Sequence, residues 1–167
     1  MNAPLKLLRI IQWRQLKGVA GFFFRHPILF LSALPATWQC VSICDRKFGN
    51  THHKDNKANA FRHALWNMLL VRNALLCCSN SMTSEAWAKE LTDWHEDFSP
   101  NRDLARAMDL HNNQTGRLLY REKFGKKPVK NQQITQALLP LLKDAKKLKD
   151  SQMTMNHAPL QLLYLNT

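Results

Sequence analysis

Glycine and proline are scarce in this sequence, at five and seven among 167 residues. That scarcity argues against linker-like and disordered chains and for a packed, mostly helical one. There is no internal repeat and no low-complexity tract, which sets aside repeat architectures. Acidic residues are missing from the whole stretch before Asp45, where Lys6, Arg9, Arg14, Lys17 and Arg25 are all basic. Cysteine is limited to Cys40, Cys44, Cys77 and Cys78. The first two sit four apart on one helix face and the last two are adjacent. Neither spacing is that of a zinc knuckle or an easy disulfide, so buried reduced thiols and a reducing compartment are expected. No HExxH occurs. No Ala-x-Ala-type cleavage site follows the basic start, so a signal peptide is not expected.

What remains fits one domain over 1–167, long enough to bury a core. We expect an all-α fold: a bundle of about five to six helices, with a short C-terminal strand or extended tail. The formal net charge is +12, and it is unevenly spread. Residues 121–149 hold nine basic residues against Glu122 and Asp144, whereas nine of the twelve acids lie between Asp45 and Asp109. Cationic ends suit an anionic membrane surface or nucleic acid, or are simply a solvated surface. Nucleic acid ranks lower, because the basic 121–149 stretch has no aromatic platform and no recognisable binding motif.

The first 25 residues read as a basic amphipathic helix, with Leu5, Leu8, Ile11 and Leu16 on one face and Trp13 near its middle. Phe22, Phe23 and Phe24 beside Arg25 favour a membrane role. The interval "HPILFLSALPATWQCVSIC" has no charged residue over 19 positions, which is span length. His26, Pro27, Pro35 and Gln39 weaken a span. A buried core helix over 27–44, bent near Pro35, or a segment lying in the membrane interface is favoured instead. A further helix is expected over 57–78, capped by Asp55 or Asn56. Another is capped by Thr83 or Ser84 and runs to Asp97, with Trp87, Leu91, Trp94 and Phe98 on one stripe. A helix opened by Ser99-Pro100 runs to Tyr120, with Leu104, Ala107 and Met108 inward. The last spans 132–149, with Ile134, Leu138, Leu142, Ala145 and Leu148 inward and a kink at Pro140.

The helix at 57–78 carries the first functional signal. Phe61, Leu65, Met68 and Leu69 form its core stripe, and Asn59, His63, Trp66, Asn67 and Leu70 form a second line. A solvent face would carry Lys and Glu instead. His95 and Glu96 lie on the next helix, and Asp109, His111, Asn112 and Asn113 on the one after. Gly116 inside that helix costs about 1 kcal/mol relative to Ala, which suggests close backbone approach or ligand access. Arg62 and Arg117 are natural partners for Glu96 and Asp109. Short connections bring three successive helices together, so the groups can converge.

Two chemistries compete. His63, His95, Glu96 and Asp109 can bind a divalent metal that activates water. Alternatively, a histidine oriented by Glu96 or Asp109 acts as general base while Asn and Arg groups stabilise negative charge. The bland alternative is a satisfied polar network that fixes helix register. His26 and His157 read as structural or surface groups. His52 or His53 is a candidate for the pocket mouth.

"NAFRHALWN", then "HE", then "MDLHNNQTGR" resembles an uncharacterised bacterial family. Its members occur as small stand-alone proteins and as C-terminal modules of secreted, toxin-like proteins. The resemblance covers about residues 48–120. It implies a shared site at Asn59, Arg62, His63, Trp66, Asn67, His95, Glu96, Asp109, Asn112, Asn113, Gly116 and Arg117, but no particular reaction.

The leading expectation is a hydrolase of an ester or phosphoester, acting on lipid at a membrane surface in one version. His63, His95, Glu96 and Asp109 would be catalytic, or metal-binding. Asn59, Arg62, Trp66, Asn67, His111, Asn112, Asn113 and Arg117 would bind substrate or support them. The alternatives are a non-enzymatic ligand-binding or structural protein and a nucleic-acid binder or nuclease. The expected location is cytoplasmic or on the inner membrane face, with a secreted effector implied only by the resemblance.

Overall fold

Asn56 starts the central helix. Its Oδ1 accepts from the backbone N–H groups of Ala58 (3.0 Å) and Asn59 (3.1 Å), which satisfies two donors that a helix start leaves open. The computed structural model describes residues 13–98, 103–148 and 157–165. The chain order is α1 (Trp13–Arg25), α2 (Pro27–Phe48), a 3-10 turn (Gly49–His53), α3 (Lys57–Cys78), α4 (Ser81–Phe98), α5 (Asp103–Phe124), α6 (Asn131–Lys143), β1 (Lys146–Lys147) and β2 (Leu163–Tyr164). The expectations resting on Leu5, Leu8, Ile11, the Ser99-Pro100 start and the side chains of Trp13, Leu16 and Phe98 lie outside the described residues. The fold is an all-α bundle with a short parallel strand pair near the C-terminus, in register Lys146 to Leu163.

α3 packs against α2, α4, α5 and α6. Its core stripe, Phe61, Leu65, Met68 and Leu69, is fully buried. Leu70, which the sequence put on the polar line, is buried too, because a helix surrounded by four others has no solvent face. The approach of α5 is set by Gly116. A Cβ there would lie 2.2 Å from the Ala64 carbonyl oxygen. The glycine thus permits a backbone contact that no side chain could share.

Several boundaries differ from those expected. α4 begins at Ser81, because Asn80 rather than Thr83 or Ser84 is the cap: its Oδ1 accepts from the Thr83 N–H at 3.1 Å. α5 runs past Tyr120 to Phe124, through the helix-forming Arg121, Glu122 and Lys123. It stops at Gly125, whose positive φ of 58° suits glycine. α6 ends at Lys143. Ala145 and Leu148 are buried as expected, but from the extended segment around β1. Cys40 and Cys44 are buried, whereas Cys77 is exposed and Cys78 half-buried at the end of α3.

α2 is the one described helix long and apolar enough to cross a membrane, yet only 22% of its most apolar window is buried. It does not behave as a buried core helix. It turns Ala33, Ala36, Cys40 and Cys44 inward and leaves Ile28, Leu31, Leu34, Trp38 and Val41 exposed. Phe22 of α1 is buried edge-on against Trp87 (5.6 Å) and Trp94 (5.5 Å), while Phe23 and Phe24 are exposed.

Candidate functional site

Asn59, His63 and Asn67 stand on successive turns of α3, four residues apart. Asp109, Asn113 and Arg117 stand on successive turns of α5 with the same spacing. The two ladders meet rung by rung. Asn59 Nδ2 donates to Asp109 Oδ1 (3.2 Å), His63 Nδ1 meets Asn113 Oδ1 (3.2 Å), and Arg117 Nη1 donates to Asn67 Oδ1 (2.6 Å). Each rung joins residues 50 apart. A constant offset means that α3 and α5 run parallel and in register, as two helices separated by one antiparallel helix must.

α4 runs the other way and adds two groups, also four apart. Thr92 Oγ1 donates to Asn67 Oδ1 (3.3 Å) beside Arg117. Glu96 Oε1 accepts from Asn113 Nδ2 (3.2 Å) and lies 3.4 Å from His63 Nδ1. Asn67 Nδ2 donates to the His63 carbonyl (3.1 Å) and to Asn113 Oδ1 (2.7 Å). All of these side chains are buried. Thr92 was not among the residues the sequence singled out. Its signal was its place one turn before Glu96, on the same face of α4.

The bonding fixes proton positions. Asn113 Oδ1 accepts from Asn67, so His63 Nδ1 carries the hydrogen and donates to it. His63 Nε2 is then the acceptor, and Arg62 Nη2 donates to it at 3.1 Å. Asp109 Oδ1 lies 3.2 Å from the same Nε2. Two lone pairs cannot face each other in a buried site without a proton or a cation between them. Burial, then Glu96, pushes the Asp109 carboxyl up to about 8, so it holds a proton at neutral pH. Burial, then Arg62, pushes His63 down to about 3, so its ring is neutral. Burial also raises Glu96.

His63, Glu96 and Asp109 each offer a donor atom, and these atoms lie within 4.8 Å of one another. One imidazole and two carboxylates are a fitting set for a divalent metal ion. Asn59, whose Nδ2 donates to Asp109, has a buried Oδ1 with no hydrogen-bond partner among the described residues. The trio could hold a metal.

A cavity of about 260 Å³ reaches this cluster at His63, with Glu96 and Asp109 behind the imidazole and outside the cavity lining. Arg62, His63, Trp66 and His95 line one side, and Thr37, Cys40 and Val41 of α2 the other. Trp66 is fixed by donating from Nε1 to Thr37 Oγ1 (2.9 Å) and packs edge-on against His95 (5.2 Å). His95 is at the mouth rather than in the trio. Partial desolvation and Arg62 hold it below its ordinary range. The α2 wall was not foreseen, since nothing in its apolar run marks Thr37 or Val41.

The profile of a domain of unknown function, DUF6973, matches residues 20–146. The chain belongs to this family. No curated protein and no solved structure matches it. The DUF6973 span is wider than the motif-bearing 48–120 and takes in α2, and with it the second wall of the cavity.

Other residues singled out in the sequence serve elsewhere. His111 bonds the Gln161 carbonyl (2.8 Å), and Asn112 brackets Leu163 by donating to its carbonyl and accepting from its N–H, both at 2.9 Å. These two hold the C-terminal segment onto α5, outside the cavity. Arg117 is bonded to an amide and a hydroxyl, not to Glu96 or Asp109. His52 is buried on Asp45 (2.7 Å), away from the cavity, and the side chain of His53 lies outside the described residues. His157 meets Gln161.

Proposed function

We propose that this chain is a small helical hydrolase of a phosphoester, with a divalent cation held by His63, Glu96 and Asp109. The observation that carries the reading is the 3.2 Å approach of Asp109 Oδ1 to the acceptor nitrogen of His63. Arg62 already donates to that nitrogen and Asp109 holds a proton, so a divalent ion entering between these atoms would take the place of both. When bound, such an ion would polarise a phosphoryl oxygen and make a bound water acidic.

The chain's own groups have distinct roles in this reading. Asn113 orients the imidazole by accepting from Nδ1, and Asn59 orients Asp109. Such partners tune a ligand's direction and basicity. Arg62 is the cation of the cavity lining, which suits a phosphoryl group, His95 beside it is a neutral imidazole, and Trp66 offers an apolar wall. The near-complete bonding of Asn67, Asn113 and Arg117 favours a second reading, in which the same groups form a structural lock around a pocket for a ligand that is not turned over.

The test is elemental analysis of the purified protein with Zn, Mn and Fe standards, a melting curve with and without chelator, and a phosphoester screen. The hydrolase reading expects about one bound ion, a melting point lowered by chelation, and turnover lost in His63→Ala while His63→Ala stays folded. A protein that takes up no ion and turns over no phosphoester, yet melts higher with a bound anion, supports the second reading and sinks the first.

A further inference from the structure

α2 reverses the usual distribution of side chains. Its inward face is small, built of Ala33, Ala36, Cys40 and Cys44. Its outward face carries Ile28, Leu31, Leu34, Trp38 and Val41, in one line along the helix. Trp38 at its centre is 71% exposed, and Phe24 at the end of α1 is 80% exposed. From Ile28 to Val41 the stripe is about 20 Å long at the rise of an α-helix. A contiguous apolar stripe of this size marks an interaction surface.

The charges around the stripe select the partner. Between Trp13 and Phe48 the only acid is Asp45, and it is engaged by His52. The basic residues of that interval lie before and after the stripe in sequence: Arg14, Lys17 and Arg25 before it, Arg46 and Lys47 after it. Lys17, Arg25, Arg46 and Lys47 are exposed, and Arg25 is paired with Glu90 of α4 (3.2 Å). An apolar line with a tryptophan at its centre and cations at both ends matches the plane between headgroups and acyl chains of an anionic bilayer.

α2 is tied down against leaving the body to span that bilayer. Cys40 Sγ contacts the Arg62 carbonyl, Trp66 donates to Thr37, and Asn73 Nδ2 donates to the Ser32 carbonyl (3.0 Å). Arg72 Nη2 donates to Gln39 Oε1 at 2.7 Å. A span would carry Thr37 and Gln39 into hydrocarbon without these partners, at a large cost.

We infer that the exposed face of α2 docks flat on an anionic phospholipid surface and turns the mouth of the cavity toward the headgroups. The second half follows from Val41, which is both the last member of the stripe and part of the cavity wall. The substrate class would then be a lipid phosphoester. That last step rests on the hydrolase reading; the docking does not.

The experiment is sedimentation of the full chain with vesicles of phosphatidylcholine alone or with one third phosphatidylglycerol, alongside its mass by analytical ultracentrifugation. We expect the wild type to bind the anionic vesicles and to bind neutral ones far more weakly. The triple variant Leu31→Ser/Leu34→Ser/Trp38→Ser and the charge variant Arg46→Glu/Lys47→Glu should each lose about tenfold in affinity. The melting point and metal content of both variants should stay at wild-type values, which separates loss of docking from loss of the site. Wild type remaining in the supernatant with anionic vesicles overturns the inference. So does a triple variant that binds as well as wild type, or a wild-type dimer that this variant makes monomeric, since the stripe would then be an interface between copies. Vesicle binding without turnover of any lipid phosphoester keeps the docking and removes the hydrolase reading.

Discussion

α2 and α3 lie side by side, each 22 residues long, and they break the same rule in opposite directions. α3 buries Asn59, His63, Asn67 and Asn73, while α2 exposes a tryptophan and a row of large aliphatic residues. The reason differs. On α3, polar groups are buried because α4 and α5 supply matching partners, so desolvation is offset bond by bond. On α2, the fully buried positions are all alanine or cysteine, Leu29, Phe30 and Ile43 are only partly buried at the flanks, and the rest of the bulk is turned outward. Departures from local consistency concentrate where a protein binds or reacts. Here one departure forms a polar cluster and the other an exposed apolar stripe, and the cavity touches both, through His63 and Val41.

The comparison breaks most sharply at Gly116. In an exposed helix interior Gly→Ala stabilises by about 1 kcal/mol. Here the added Cβ would meet the Ala64 backbone oxygen at 2.2 Å, and backbone cannot rotate away. α5 would have to move off α3, and every rung would lengthen. We expect Gly116→Ala to destabilise by about 4 kcal/mol in a urea titration. A midpoint at or above wild type would mean that the helices are not held at that distance.

Next in size is Asn67→Ala. It removes two donations and leaves the buried Arg117 guanidinium with Thr92 in place of its amide partner. The expected loss is about 3 kcal/mol. A loss under about 1 kcal/mol would show that the rung is solvated and that α3's polar line is not a buried network.

The sequence displayed α3 almost completely. Asn56 supplied the cap, the apolar stripe supplied the core face, and Gly116 signalled close approach. His63, Glu96 and Asp109 could be gathered because they sit on successive helices with short connections. What could not be read was decided by contacts far apart in the chain. His111 and Asn112 look like site residues by spacing, but they serve a segment about fifty positions later. Arg117 looked like a carboxylate partner, yet an amide one helix away receives it. α2 was ambiguous because it is apolar on every face. Hydropathy cannot say whether Ala and Cys or Leu and Trp point inward.

The polar side of the comparison has a pH signature. Asp109 titrates near 8 folded and near 3.8 unfolded, so between those values the folded state holds one proton more and stability falls as pH rises. His63 titrates near 3 folded and near 6.5 unfolded, so between those values stability rises with pH. From about 4 to 6.5 the two slopes cancel; His95 and His111, both held low by burial, tilt the balance upward, against the single downward slope of Glu96, which burial raises. Above 6.5 only the Asp109 slope remains. Stability should therefore peak near pH 6.5 and fall by about 2 kcal/mol toward pH 8. Asp109→Asn should remove that fall, and a bound divalent ion should remove it in the wild type. Identical profiles for wild type and Asp109→Asn would place the ionisation elsewhere.

The smallest effect is the most telling about α2. Trp38→Ser deletes the largest side chain of the stripe, and in a core such a truncation costs about 3–5 kcal/mol. With Trp38 at 71% exposed, we expect a change within about 0.5 kcal/mol in buffer. The same substitution should weaken binding to anionic vesicles several-fold, because only there does the indole leave water. Stability and function would then separate along the helix: Ala36→Leu, on the inward face, should unfold the protein without any membrane present. If Trp38→Ser is instead strongly destabilising in buffer, the indole is already packed against protein. The outward face of α2 would then be a second core surface, and its contrast with α3 would disappear.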